Sequence, residues 1–169
     1  MFTFYKKHNN KLYNKLIKLS RNKFFYENIK LSDDFQTRIL LIFFHLAIIL
    51  KNAKGNKYQN KSQAVFDNIF LNIEYHIREL GYGDVAVNKK MKTLNKIFYD
   101  ILLNLDKNEK MSFDKNNKIL KKYFFINSNV CPEKMLKLAK YLGKFQNFCF
   151  DLDVNIMLNG SIDFKYKAT

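Results

Sequence analysis

The string Ile77-Arg78-Glu79-Leu80-Gly81-Tyr82-Gly83-Asp84 constrains this chain more than any other. Before it, Phe66, Ile69, Phe70, Ile73, Ile77 and Leu80 recur at steps of three and four, the apolar stripe of a helix. After it, Met91, Leu94, Phe98, Ile101 and Leu105 repeat the pattern. Gly81 lies just past the last apolar position, where a left-handed residue ends a helix most cheaply. Gly83 permits a second unusual backbone angle, and Asp84 can accept hydrogen bonds from amides opening the next helix. A tight turn in a helical hairpin is the plain reading. Helices are expected over residues 63–80 and 88–106.

The surroundings of the turn say more. Phe66-Asp67, then Arg78-Glu79-Leu80-Gly81-x-Gly83-Asp84, then Val87-x-Lys89-Lys90-Met91-Lys92 and Phe98-Tyr99 resemble the ubiquinol–cytochrome c chaperone family, assembly factors of respiratory complex III. Arg38-Ile39-Leu40-Leu41 and His45-Leu46 look like that family's preceding helix. The likeness covers residues 10 to 107; beyond them only a helical pattern continues. Leu80 and Tyr82 stand where Met and an aliphatic residue would be expected, and both swaps keep bulk. The resemblance implies a chaperone that binds newly made cytochrome b until the cytochrome bc1 complex is built, near the ribosome or peripherally at the membrane. It implies a cytoplasmic location, at the inner membrane on the matrix side if the protein is mitochondrial.

A chain of 169 residues is sized for one domain with a real core. Five Gly, one Pro and no sustained alternation argue for an all-α bundle of about five to seven helices. Its centre should be the helix of residues 34–53, apolar nearly all round and opened by the cap cluster Ser32-Asp33-Asp34. The apolar run Ile39–Leu50 contains His45 and stops at Lys51, short of the roughly 20 residues of a membrane span, so none is expected. His45 reads as a satisfied core histidine, because no second His or carboxylate lies one turn away. No secretory leader is expected, since Met1 to Lys30 carries lysines throughout and no uninterrupted apolar run.

Around this centre, residues 8–20 carry Leu12, Leu16 and Leu19 at helical spacing. Lys23–Ile29 suits a short helix or a turn. Lys51–Ser62 reads as a polar linker, and Lys107–Lys118 as another. Ile119–Ile126 suits a short helix with Leu120, Tyr123 and Phe124 inward, broken at Asn127–Asn129. Pro132 opens a last long helix with Met135, Leu138, Leu142, Phe145, Cys149 and Leu152 as its stripe. Residues 153–169 form a tail, whose part from Asn159 is either extended and docked or loose.

The net charge of +15 raises nucleic acid or an anionic membrane as partner. Yet of 30 basic residues only Arg21, Arg38 and Arg78 are arginine, the residue favoured for base reading and bidentate phosphate contact. DNA is not expected. The basic segment 1–30 is either a solvated helix face or a contact for ribosomal RNA or lipid head groups. Glu79 opposes the helix dipole and wants a partner, either the Lys89-Lys90 pair or Arg38. Two cysteines suggest no disulfide framework. His8, His45 and His76 show no metal spacing, and no nucleotide loop or nucleophile elbow is present. Neither catalysis nor a cofactor is expected.

The expected site is the motif and its flank, Arg78, Glu79, Gly81, Tyr82, Gly83, Asp84, Lys89, Lys90 and Met91. Its charged pair Arg78 and Glu79 reads first as a polar latch that fixes the hairpin angle and second as a client- or partner-binding surface. Tyr75, Tyr82, Tyr99 and the Met91 region are expected to line a client groove. A lysine-rich helical RNA- or ribosome-binding adapter is the alternative. A groove beside the turn favours the client chaperone; a continuous lysine surface without one favours RNA.

Overall fold

The computed structural model describes residues 10–106, 113, 117–126 and 131–168. The start of the expected first helix, residues 1–9 of the basic segment, most of the 107–118 connection and the break at 127–129 lie outside them. Seven α-helices form the described chain: α1 (Lys11–Ser20), α2 (Phe35–Asn52), α3 (Gln59–Glu79), α4 (Asp84–Asp106), α5 (Asn117–Phe124), α6 (Pro132–Asp151) and α7 (Val154–Leu158). No strand occurs among the described residues.

The centre is α2. Every residue from Ile39 to Ile49 is buried, because α1, α4, α6 and α7 pack around it. Its 18 residues are long and apolar enough to meet a simple criterion for crossing a membrane, one that a buried core helix also meets. Here protein encloses it. Asp34 caps the helix, its carboxylate accepting from the Thr37 amide at 2.7 Å. His45 lies fully buried at its middle. Its Nδ1 faces the Leu41 carbonyl at 2.6 Å, and a carbonyl only accepts, so Nδ1 carries the proton. Nε2 then accepts from the Tyr141 hydroxyl at 2.9 Å. Burial pushes the imidazole down to about 4, which keeps it neutral.

Between α1 and α2, the segment Lys23–Ile29 forms a π-helical turn over Phe24–Asn28 that puts Phe25 against Tyr141, ring centroids 4.7 Å apart. The chain after Asn159 is extended and docked. Phe164 meets Phe145 at 5.2 Å and Tyr166 meets Phe24 at 4.6 Å. Gly160 makes this strap possible. Its φ is +82°, and a Cβ there would stand 2.6 Å from the Leu12 amide nitrogen.

Three boundaries differ from expectation. The 51–62 linker shrinks to a few residues, since α2 runs to Asn52, a 3-10 turn spans Asn56–Tyr58 and α3 starts at Gln59. Its polar residues are solvated helix positions, which composition alone does not separate from loop. The second hairpin helix begins at Asp84 rather than residue 88, and α7 occupies part of the expected tail.

Candidate functional site

The hairpin of α3 and α4 turns as the glycine pattern predicts, at one of its two glycines. Gly81 has φ +93°, and its amide donates to the Arg78 carbonyl at 2.9 Å. Gly83 has no positive φ, which corrects the expectation of a second unusual angle. Its carbonyl instead accepts from the Val87 amide at 2.9 Å, the first intrahelical bond of α4, so Gly83 holds the cap position. Asp84 sits one residue inside the helix and its carboxylate is taken by Arg78. There it still suits the positive end of the helix.

Arg78 is the latch of this turn. Its Nη1 donates to Asp84, while Nε and Nη2 both donate to Glu74 Oε1, at 3.1 and 2.8 Å. One planar guanidinium thus ties the last turns of α3 to the first turn of α4. Neither partner proposed for Glu79 is realised. Its carboxylate lies 4.0 Å from the His76 ring nitrogen Nε2, and Arg38 pairs with Asp33 at 2.6 Å. The helix keeps Glu79 on the side of His76, three residues back, away from Lys89 and Lys90. Lys90 lies over the Tyr82 ring, 4.5 Å from its centroid, a second tie across the turn.

Two grooves flank the turn and share Phe35, the first residue of α2. One, of ≈ 390 Å³, runs between α1, α2 and α3, with Ile17, Ile39, Ile42 and Leu80 as apolar wall. Tyr13 and His76 close it through a 2.7 Å hydrogen bond between the hydroxyl and Nδ1, and Arg21 and Arg38 mark its rim. The other, of ≈ 420 Å³, lies between α2 and α4, with Ile77, Ala86, Leu94 and Ile97 as wall and Lys89 and Lys90 at its edge. At the turn Leu80, Tyr82 and Val85 are left 60%, 45% and 85% exposed.

The expected groove residues do not form one surface. Tyr82 is at the turn, but Tyr99 lines a separate groove at the far end of α4, with Leu50, Phe66 and Leu102. Tyr75 and Met91 line neither groove at the turn. Met91 is half-buried against the core. Sequence reasoning missed Phe35, Tyr13, His76 and Glu74. Glu74 had a signal, four residues before Arg78 on the same face. Phe35 had none, since an apolar first residue on the most apolar helix looks like core.

The sequence model of the ubiquinol-cytochrome C chaperone family matches residues 27–164. The chain belongs to that family. The match extends past the hairpin through α5, α6 and α7 and into the strap, where the sequence by eye offered only helical periodicity. A crystal structure of the Cbp3 homolog from Brucella abortus has the same fold, with a TM-score of 0.74 over 92% of this chain and 87% of that one. The two are 23% identical. No curated protein sequence matches. As a member of this family, the chain is a chaperone; the matched span carries the Arg78 latch and the α2–α4 groove, while the α1 wall of the other groove, Tyr13 to Arg21, lies before it.

Proposed function

We propose that this protein is a non-enzymatic assembly chaperone that binds newly made cytochrome b for the cytochrome bc1 complex. Membership of the chaperone family over residues 27–164 is the observation that carries the reading. The paired grooves support it. A client made of apolar helices needs open apolar walls with polar rims, and both grooves are built so. The charged residues of the motif support a role without catalysis, because Arg78 spends its donors on Glu74 and Asp84 within the turn. The protein works on the cytoplasmic side of the membrane holding the complex, the matrix side if it is mitochondrial. Grooves beside the turn favour this reading over the RNA adapter, which needs only lysines.

Phe35 and Leu80 are the residues to test, since they are 40% and 60% exposed and their replacement leaves the core alone. Tagged protein captured from membranes should bring down cytochrome b, and the double variant F35S/L80D should lose most of it while remaining folded. Cells carrying the variant should hold less bc1 complex. Normal bc1 content after deletion of the whole gene would overturn the proposal.

A further inference from the structure

The side of α4 opposite its buried stripe has an unusual make-up for a solvated helix face. Val87, Leu94, Phe98, Ile101 and Leu105 are buried. Half a turn round, Val85, Lys89, Lys92, Lys96, Tyr99 and Leu103 recur at steps of three and four, and all are exposed. Such faces are normally polar throughout. This one sets Lys89, Lys92 and Lys96 between apolar residues left bare at both ends, Val85 at 85% and Leu103 at 58% exposure. No carboxylate lies in the row. Asp100 at its edge is taken by Lys122 at 2.6 Å and by the Tyr123 hydroxyl, which hold its carboxyl below the usual range. Lys92 and Lys96 have no acidic partner among the described residues.

We propose that this face of α4 docks on an anionic membrane surface. From Val85 to Leu103 the row is roughly 27 Å long, a straight strip that can lie flat along a bilayer. The lysine stems cover apolar ground while their ammonium groups reach lipid phosphates. Val85 and Leu103 enter the acyl boundary, and Tyr99 suits the head-group level. Charge complementarity selects an anionic partner, and the bare apolar ends select lipid over RNA. RNA would use the lysines and leave Val85 and Leu103 without a role, and it would draw more on arginine, which the row lacks. Docking in this way places Ala86 and Thr93, on the flank of α4, at head-group level, and with them the mouth of the α2–α4 groove.

The inference stands apart from the cytochrome b proposal, because the residues its test replaces line neither groove at the turn and the test contains no client. Purified protein is mixed with vesicles of phosphatidylcholine alone or with added phosphatidylglycerol, at low and high salt. Wild type should bind the anionic vesicles and not the neutral ones. K92Q/K96Q should weaken binding on the order of thirty-fold at low salt. K18Q/K140Q removes the same charge from exposed positions elsewhere and should weaken it far less. V85S/L103S, with every lysine kept, should bind several-fold more weakly. Circular dichroism checks that each variant is folded. A depth probe separates insertion from mere attraction: L103C in a C131S background carries a polarity-sensitive dye, Cys131 being the exposed thiol and Cys149 the buried one. Its emission should shift blue on anionic vesicles. Equal loss from the two lysine pairs would overturn the proposal in favour of net charge. Bound protein with an unshifted dye, or binding to ribosomal RNA but not to vesicles, would overturn it as well.

Discussion

His45 and Arg78 are both polar groups set into an apolar bundle, and the protein treats them in opposite ways. His45 is sealed. Both its nitrogens are satisfied, and Phe25, Tyr141 and Phe145 surround its ring at centroid distances of 6.3, 5.6 and 4.7 Å. The strap residue Phe164 closes the same cluster from outside, against Tyr141 and Phe145. Arg78 stays partly open, and two of its neighbours, Asp84 and Leu80, face solvent. A buried polar group can fix only the core it sits in, since nothing else reaches it. An exposed one at a hairpin fixes the angle between two helices, and so the shape of the grooves beside them. The first kind of residue governs whether the chain folds; the second governs what the folded chain can hold.

Breaking the sealed end should have the largest effect. Phe145→Ala empties one wall of the His45 pocket and should cost about 3–5 kcal/mol of stability, read by chemical denaturation. An equal loss from Leu80→Ala would erase the distinction between the two regions. A change of pH tests the same end without a mutation. His45 titrates near 4 when folded against about 6.5 when unfolded, so between those values the unfolded chain binds the extra proton. Stability should be at its full value above pH 6.5 and fall by about 3 kcal/mol as the pH drops to 4. His45→Gln should flatten that decline. A decline equally steep in the variant would assign it to other groups.

At the turn the effects are smaller and distinguish the two glycines. Gly81→Val should cost at least about 1 kcal/mol, for the positive φ and the added branching. Gly83→Ala should cost less, about half a kcal/mol, because Gly83 has no positive φ and a Cβ there meets nothing within 4 Å, which leaves only the poorer capping by Ala. Equal melting temperatures for both variants would mean that neither glycine is held by its backbone.

These two glycines mark how far the sequence could be read. Periodicity placed α2 at the centre because Ile39–Ile49 is apolar on every side, and only full enclosure suits that pattern. Gly81 was legible because the apolar stripe stops there. Gly83 and Asp84 were assigned the wrong work, since a Gly-x-Gly-Asp string does not say which residue begins the next helix. The grooves were not legible. They depend on where helices distant in sequence cross, as α1 and α3 do through Tyr13 and His76, which no local pattern encodes. The strap was half legible, its alternation of Ile162, Phe164 and Tyr166 fitting either a docked or a loose chain.

The comparison is sharpest where stability should move least. Arg78→Ala with Asp84→Ala removes the guanidinium bridge across the turn but no buried apolar contact, so the melting temperature should shift little. Glu74 then loses its cation and the α3–α4 angle loses its tie. If the angle shapes the grooves, client capture should fall further than the protein's own abundance. The measurement sets cytochrome b content and bc1 activity in cells carrying the variant against the amount of chaperone present. Normal bc1 with normal chaperone would remove the latch from function. A bc1 deficit explained wholly by missing chaperone would place Arg78 with His45, as a residue that only folds the chain. A deficit beyond the loss of protein is the expected outcome. Arg78→Lys should recover it only in part, because an ammonium reaches one carboxylate well where the guanidinium fork spans two.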